Sequence, residues 1–391
     1  MKELSLVSQR VTPSPIRKMF NLAADMEDVV SFSVGEPDFD TPPHIVDAAV
    51  QALKDGQHHY TPNAGILPLR QAISRTIRRT HGLTYDPAGQ VIVTAGGMEA
   101  LMLTMLCILD PGDQFILGDP CWTNYSRQIQ ICSADPVFVP VTGENGFLFN
   151  PEDLEQAITP RTKGFLINSP SNPTGGVASR EALEKLAEIA VRHDLYVISD
   201  EVYQSILYDG AEAPSIATLP GMAERTVIIN SFSKAFAMTG WRVGYAAGPE
   251  HIIRNMVKLQ ENVAACVTTC AQYGALAALE GPRDPVDAMI ATYAQRREYL
   301  LSALAQIPGL TYHVPQGTFY LFIDVSATGL DANSFCQDLL KQQRVVMVPG
   351  EAFGEHGKNY VRISFATSME TIQEGMRRLA AYMRENHPTV T

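Results

Sequence analysis

Lys234 lies in the run Ser231-Phe232-Ser233-Lys234-Ala235-Phe236, and Arg242 follows eight positions later, past Gly240. A lysine flanked by apolar residues is partly desolvated. Its pKa falls, and the neutral amine can attack a carbonyl. The hydroxyls of Ser231 and Ser233, with the Arg242 cation, suit an anion held beside that amine. Imine chemistry next to a bound anion is the first expectation. Three further stretches carry polar residues of matching kind. In Ser199-Asp200-Glu201-Val202-Tyr203 an acid closes an apolar run. Such an acid can pair with a protonated ring nitrogen, or simply cap a helix. Tyr203 comes one helical turn later and reaches the same ligand if the segment is helical. Asn172 stands among Pro173, Thr174, Gly175 and Gly176, and by itself reads as a turn former. Ala95-Gly96-Gly97-Met98 places paired glycines between a strand and a helix, where free backbone amides favour a phosphate. Neither GxGxxG nor GxxxxGK[ST] occurs, which weakens a dinucleotide or nucleotide-phosphate reading.

These stretches need elements to bring them together. Short apolar runs at 90–94, 114–117, 137–141, 163–168, 195–199, 226–230 and 241–247 read as strands. Helical segments at 43–54 (capped by Thr41), 67–81, 98–109 and 180–193 lie between or before them. Strands without polar alternation, joined by helices, imply an α/β fold: a mostly parallel, seven-stranded-type sheet with helices on both faces. Gly96, Asn172, Asp200, Ser231 and Lys234 all follow the C-terminal ends of such strands, the edge where open α/β sheets bind ligands. From about residue 280 the pattern changes to a long helix at 285–305, strands at 317–325, 345–348 and 360–365, and helices at 332–341 and 369–384. This is a smaller α+β domain. The expected division is a large domain at 30–285, with 1–29 and 286–391 forming an N-terminal arm, amphipathic at 16–24, and the small domain.

The pieces Ser171-Asn172-Pro173-Thr174-Gly175, Ser199-Asp200-Glu201-Val202-Tyr203, Ser231-Phe232-Ser233-Lys234 with Arg242, and Asn359-Tyr360-Val361-Arg362-Ile363-Ser364 resemble, in this order, the pyridoxal-phosphate aminotransferases of fold type I, class I/II group. Val34-Gly35-Glu36-Pro37-Asp38-Phe39 resembles that group's N-terminal motif, and the resemblance spans about residues 10 to 385. It implies pyridoxal 5′-phosphate as cofactor and roles for each matching residue. Lys234 would anchor the cofactor covalently and then shuttle the proton. Asp200 would keep the ring nitrogen protonated, Asn172 and Tyr203 would bond the ring hydroxyl oxygen, and Trp122 would stack on the ring. The Gly97 and Met98 amides, Ser231, Ser233 and Arg242 would hold the phosphate, and Tyr60 would reach the phosphate of a neighbouring subunit in a homodimer. Arg362 would grip the substrate carboxylate, helped by the Gly35 amide and Asn172. The resemblance also makes Asp119-Pro120 and Asn172-Pro173 candidates for cis peptide bonds.

The implied reaction is transfer of an amino group from an L-amino acid to a 2-oxo acid in a ping-pong cycle. β-Elimination from a sulfur amino acid uses the same residues and stays open at this point. A dicarboxylate substrate needs a further cation, and residues 260–270 contain no Arg or Lys. Met98 stands where some aspartate-using relatives carry Lys. Neutral aromatic or aliphatic substrates with a broad range are therefore expected, with Arg17 in the arm as the one route to aspartate. Of the 391 residues 46% are hydrophobic and 18% charged, ample for a large core. A net charge of −12 opposes nucleic-acid binding, and an acidic chain with about thirty residues ahead of Ser31 argues against a DNA-binding regulator. No apolar run reaches membrane-spanning length, and residues 1–10 lack a signal-type segment, so a cytoplasmic location is expected. Six scattered cysteines without CxxC pairs read as reduced thiols, and no metal site is expected, Cys266 and Cys270 lacking a matching pair.

Overall fold

The protein is described by a computed structural model covering residues 2–12 and 26–387. Arg17 and the segment at 16–24 lie outside the described residues. In chain order the strands are β1 (Val30–Ser31), β2 (Val91–Thr94), β3 (Gln114–Asp119), β4 (Asp135–Pro140), β5 (Thr162–Asn168), β6 (Tyr196–Asp200), β7 (Thr226–Ser231), β8 (Gly244–Ala247), β9 (Thr311–Tyr312), β10 (Tyr320–Asp324), β11 (Val345–Val346), β12 (Val348–Pro349) and β13 (Tyr360–Ser364).

β2 to β8 form one seven-stranded sheet in the order β2-β8-β7-β6-β5-β3-β4. β3 to β7 pair in parallel, and β8 runs antiparallel to both β2 and β7. The strands read as unbroken apolar runs because both faces are covered. Along β2, Ile92 joins a core with Leu101, Leu103 and Met105 of helix Gly97–Ile108 and Ile252 and Met256 of helix Glu250–Val263. Its neighbours Val91 and Val93 point the other way, against Ile73 and Ile77 of helix Leu67–His81 and Ala271 and Ala275 of helix Thr269–Glu280. Successive side chains of one strand thus feed opposite cores.

The C-terminal region builds an antiparallel sheet, β12-β13-β10-β9, over a core of aromatic and aliphatic residues that includes Tyr293, Phe319, Phe335, Phe365 and Leu379. The expected single strand at 345–348 divides at Met347. β11 pairs in parallel with β1, whereas β12 pairs with β13. Two more expectations are corrected. The strand expected from 241 starts at Gly244, because Arg242 adopts a positive φ of 54° in a turn. Thr41 does not cap helix Pro43–Lys54, whose N-cap is Pro42 with no side-chain bond. Its hydroxyl instead donates to Ala237 O (2.7 Å) and accepts from Trp241 Nε1 (3.0 Å), tying the N-terminal loop to the turn before Arg242. Among the described residues no helix is long and apolar enough to cross a membrane.

Candidate active site

The parallel strands end on a common edge, and Asn168, Asp200 and Ser231 close β5, β6 and β7 there. A cavity of about 780 Å³ opens at that edge. Its wall contains Gly35, Gly97, Met98, Trp122, Asn172, Asp200, Tyr203, Ser231, Ser233, Lys234, Arg242 and Arg362, so every expected site residue but Tyr60 converges on it. Tyr60 stands outside, 90% exposed.

Lys234 sits in the one-turn helix Phe232–Ala235, which starts directly at the end of β7. Its Nζ donates to Gly35 O and lies 5.9 Å from the Phe319 ring centroid. Burial lowers its pKa to about 8; Arg362 and Arg242 push the same way against Glu36. About a fifth of such an amine is neutral near pH 7.4, against about a thousandth at the ordinary pKa of 10.5. Ser231 caps the same turn: its Oγ accepts from the Ser233 amide (3.1 Å) and donates to Ser233 Oγ (2.9 Å).

Asp200 is 2% exposed. Tyr125 Oη donates to its Oδ2 (2.6 Å) and the Val202 amide to its Oδ1 (3.2 Å). Burial raises its pKa to about 6, with the Tyr125 bond opposing. The residues after Asp200 form turns, not the expected helix, and Tyr203 enters the cavity from that turn. Tyr203 Oη lies 3.2 Å from Tyr320 Oη, and burial holds both phenols neutral.

Arg362 projects from β13 and is 2% exposed. Its guanidinium carbon lies over the rings of Tyr320 (4.3 Å to the centroid) and Phe353 (4.8 Å). Nη1 donates to Asn172 Oδ1 (2.9 Å) and Nη2 to Ser33 O (3.1 Å), while Nε has no partner among the described residues. A buried guanidinium without a protein carboxylate, and with an idle donor, suits an external carboxylate.

A second anion site lies across the cavity. Gly97 starts helix Gly97–Ile108, a point where backbone amides are free and the helix dipole favours negative charge. Gly96 before it has φ 80°, and a Cβ there would come 2.5 Å from Arg242 Nη2. Only glycine lets that guanidinium lie against the turn, where Nη2 donates to Ala95 O (3.3 Å) and Nη1 to Thr239 O (3.0 Å). A cation, two hydroxyls and a helix N-terminus form a phosphate cradle, with Lys234 and Asp200 on the same wall. This set of groups fits pyridoxal 5′-phosphate.

Peptide bonds Asp119-Pro120 and Asn172-Pro173 are cis, as expected, and so is Ser169-Pro170. Tyr125, Tyr320, Ser33 and Asn168 escaped the sequence reading. Tyr125 had a signal, one helical turn after Trp122. Tyr320 had none, since only the β10–β13 register brings it beside Arg362.

The sequence matches the family described as Aminotransferase class I and II over residues 27–379. It is 42% identical to an aspartate aminotransferase of Pyrococcus abyssi, covering 97% of this chain and 98% of that one. It is 41% identical to aromatic-amino-acid aminotransferase 2 of Thermococcus litoralis, covering 96% and 97%. The aspartate aminotransferase of Thermus thermophilus, solved with maleate, superimposes with a TM-score of 0.93 at 39% identity, covering 97% of this chain and 100% of that one. The chain therefore belongs to the class I and II aminotransferases and is a transaminase that works with pyridoxal 5′-phosphate.

Proposed function

We propose that this transaminase acts on L-amino acids with neutral, aromatic or aliphatic side chains, over a broad range, and returns the amino group to a 2-oxo acid such as 2-oxoglutarate or pyruvate. The observation that carries the reading is Arg362, a buried guanidinium with an idle Nε on the wall that also holds the Lys234 amine. It selects molecules with a carboxylate, and Lys234 faces whatever the carboxylate anchors. Beyond Lys234, Arg242 and Arg362, the described lining residues include no cation. Leu101, Trp122, Tyr125 and Tyr320 make much of the remaining wall apolar, which favours a neutral substrate side chain.

When bound, the cofactor supplies an aldehyde that condenses with amines and a ring that draws electron density from the substrate Cα. The protein's own groups do the rest. Gly97 and Met98 amides, Ser231, Ser233 and Arg242 hold the phosphate. Asp200 keeps its carboxylate toward the ring nitrogen and holds the proton there. Asn172 and Tyr203 hydrogen-bond the ring hydroxyl oxygen, and Trp122 covers one ring face and excludes water. Lys234, held near pKa 8, anchors the cofactor and moves the proton at the substrate Cα. Gly35 supports the carboxylate end. Its carbonyl already orients Lys234. Tyr60, exposed on its loop, reaches the phosphate of a second copy in a homodimer. We further place the boundary between a large domain and a small one near residue 285, with 1–29 joined to the small one, and the enzyme in the cytoplasm.

The test is a panel of L-amino acids and 2-oxo acids, with kcat/KM measured for each and products identified. Aromatic and aliphatic donors should lead, with the 2-oxo acid of the donor released. Aspartate exceeding every neutral donor by more than about tenfold would overturn the substrate class. Pyruvate and ammonia from a sulfur amino acid, without amino transfer, would overturn the reaction assignment.

A further inference from the structure

Glu201 follows Asp200 but does not line the cavity. Strand alternation turns it with Ser199 away from the Asp200 side. Its Oε1 accepts from Ser199 Oγ (2.8 Å) and Ser215 Oγ (2.6 Å). Its Oε2 accepts from His81 Nε2 (2.8 Å), at the last residue of helix Leu67–His81. The His81 and Glu201 side chains are only 4% and 5% exposed. Gln204 Nε2 contacts the same imidazole (2.8 Å), and its Oε1 accepts from Asn230 Nδ2 (3.5 Å). Asn230 Oδ1 in turn accepts from the Ser231 amide (2.7 Å). A hydrogen-bonded cluster thus joins a helix terminus to the residue next to Asp200, and half-buried Gln204, in contact with His81 Nε2, and Asn230 pack between it and the Ser231 amide.

We propose that His81 and Glu201 are positioning residues for the transamination site, fixing the strand end that carries Asp200 and, through Gln204 and Asn230, the Ser231 turn, while the Glu201 charge adds to the negative field at Asp200. Neither residue touches substrate or cofactor. The Glu201 amide also donates to Ile229 O (2.9 Å), so its backbone ties the end of β6 to β7 while its side chain ties it to Ser215 and His81. A buried carboxylate held by three donors cannot lose one without leaving a charge short of a partner, and the strand end must move or protonate in response. The titratable groups facing Glu201 are His81, Asp200, Tyr85 and Tyr245. Burial, then the Glu201 charge, pushes both phenols up, so they stay neutral. At Asp200 the same charge adds to burial in favouring the proton. By the same sign it favours a proton on a basic nitrogen seated against Asp200.

The inference rests on Asp200 lying at the ring nitrogen, so the experiment includes that residue. Cofactor-loaded parent, Glu201→Gln, His81→Asn, the double variant and Asp200→Asn would be compared. The readouts are the pH midpoint of the bound cofactor's visible absorption, the Kd for pyridoxal 5′-phosphate rebinding to cofactor-free protein, and Tm. Removing a negative charge should lower the midpoint in Glu201→Gln by about half a pH unit or more and weaken rebinding by about threefold or more. His81→Asn should also move these values, and the double variant should do no more than the larger single change, because the pair acts as one unit. If Glu201→Gln does not fold, His81→Asn carries the test. Variants that lower Tm but leave midpoint and Kd unmoved would reduce the pair to a structural brace and overturn the proposal. If Asp200→Asn also leaves both unmoved, the placement of Asp200 fails instead.

Discussion

Replacing Arg362 with Lys tests the carboxylate site most directly. The substitution keeps a positive charge and removes the planar fork. In the structure the fork has three jobs. Nη1 and Nη2 reach Asn172 Oδ1 and Ser33 O, the guanidinium carbon lies over the Tyr320 and Phe353 rings, and Nε is left for a ligand. A lysine ammonium is a point donor that can satisfy Asn172 and Ser33 but cannot also present a second, parallel bond to a carboxylate. The loss is about one to two charge-assisted hydrogen bonds, each worth about 1.5–3 kcal/mol. Taking about 3 kcal/mol, kcat/KM should fall by about a hundredfold for amino donors and for 2-oxo acids alike. Both substrates present the same carboxylate, so the two losses should agree within about threefold. Cofactor content should be unchanged, since no expected phosphate contact is touched and the lysine can still donate to Asn172, the ring contact that Arg362 holds. The assay is steady-state kinetics for one amino acid and one 2-oxo acid, with cofactor absorbance as control. A kcat/KM within about threefold of the parent, or a loss confined to one half-reaction, refutes the assignment of Arg362.

Two further outcomes follow from the geometry. The Lys234 pKa is about 8 when folded, below its ordinary 10.5, so the unfolded chain holds a proton that the folded chain has released between those values, and stability of the cofactor-free protein should rise with pH across that window. Lys234→Met should accordingly be the more stable protein at pH 7 in urea unfolding, by at most about 3 kcal/mol, with the gap closing by about pH 10.5; a gap independent of pH refutes the burial of the charge. Gly96→Ala forces a methyl group to 2.5 Å from Arg242 Nη2 at a φ of 80°. It should cost about 1 kcal/mol of stability and weaken cofactor binding about tenfold, whereas unchanged rebinding of the cofactor would remove Arg242 from the phosphate cradle.

The sheet and the convergence of its loops were legible because the relevant signals are local. Val91–Val93 and Val227–Ile229 are unbroken apolar runs, as a strand covered on both faces requires. Lys234, Asp200 and Asn172 each stand just past such a run, so strand ends alone bring them to one edge, while Arg242 lies just before β8. What depended on distance along the chain was not legible. Tyr320 reaches Arg362 only because β10 pairs with β13 so that Phe322 faces Arg362, and no local pattern sets that register. Thr41 has the chemistry of a helix cap, but Ala237 and Trp241, nearly two hundred residues away, use its hydroxyl instead. The split of 345–348 has the same origin. Four apolar residues in a row say strand, while their two different partners decide that there are two.

The contrast between cations inside and outside the cavity shows where the fold holds charge in reserve. Away from it, Arg296 and Arg378 are matched by carboxylates: Arg296 makes a two-pronged pair with Asp38, and Arg378 Nη2 donates to both oxygens of Asp28, whereas buried Arg70 bonds only backbone carbonyls. Within the cavity, Arg362, Arg242 and Lys234 bond carbonyl or amide oxygens, and no carboxylate of a described residue pairs with them. Burial disfavours the charge on Arg362 and Lys234, which gains little from neutral acceptors, whereas Arg242 is exposed. Their presence in one pocket suits ligands that carry the missing charge, the phosphate proposed at Arg242 and the carboxylate proposed at Arg362. Two acids line the same cavity: Glu36, whose charge acts on Lys234 and which accepts from Thr239 Oγ1, and Asp200, which is bonded to neutral Tyr125 and suits a cationic ring nitrogen. The pattern of unmatched charges reads out the ligand more fully than any single motif: an anion at each end, a basic nitrogen against Asp200, and a carbonyl at Lys234. The same pattern predicts that ligand binding adds stability through several charges at once. Removing one of these groups should therefore lower the stability of the loaded enzyme more than that of the cofactor-free protein.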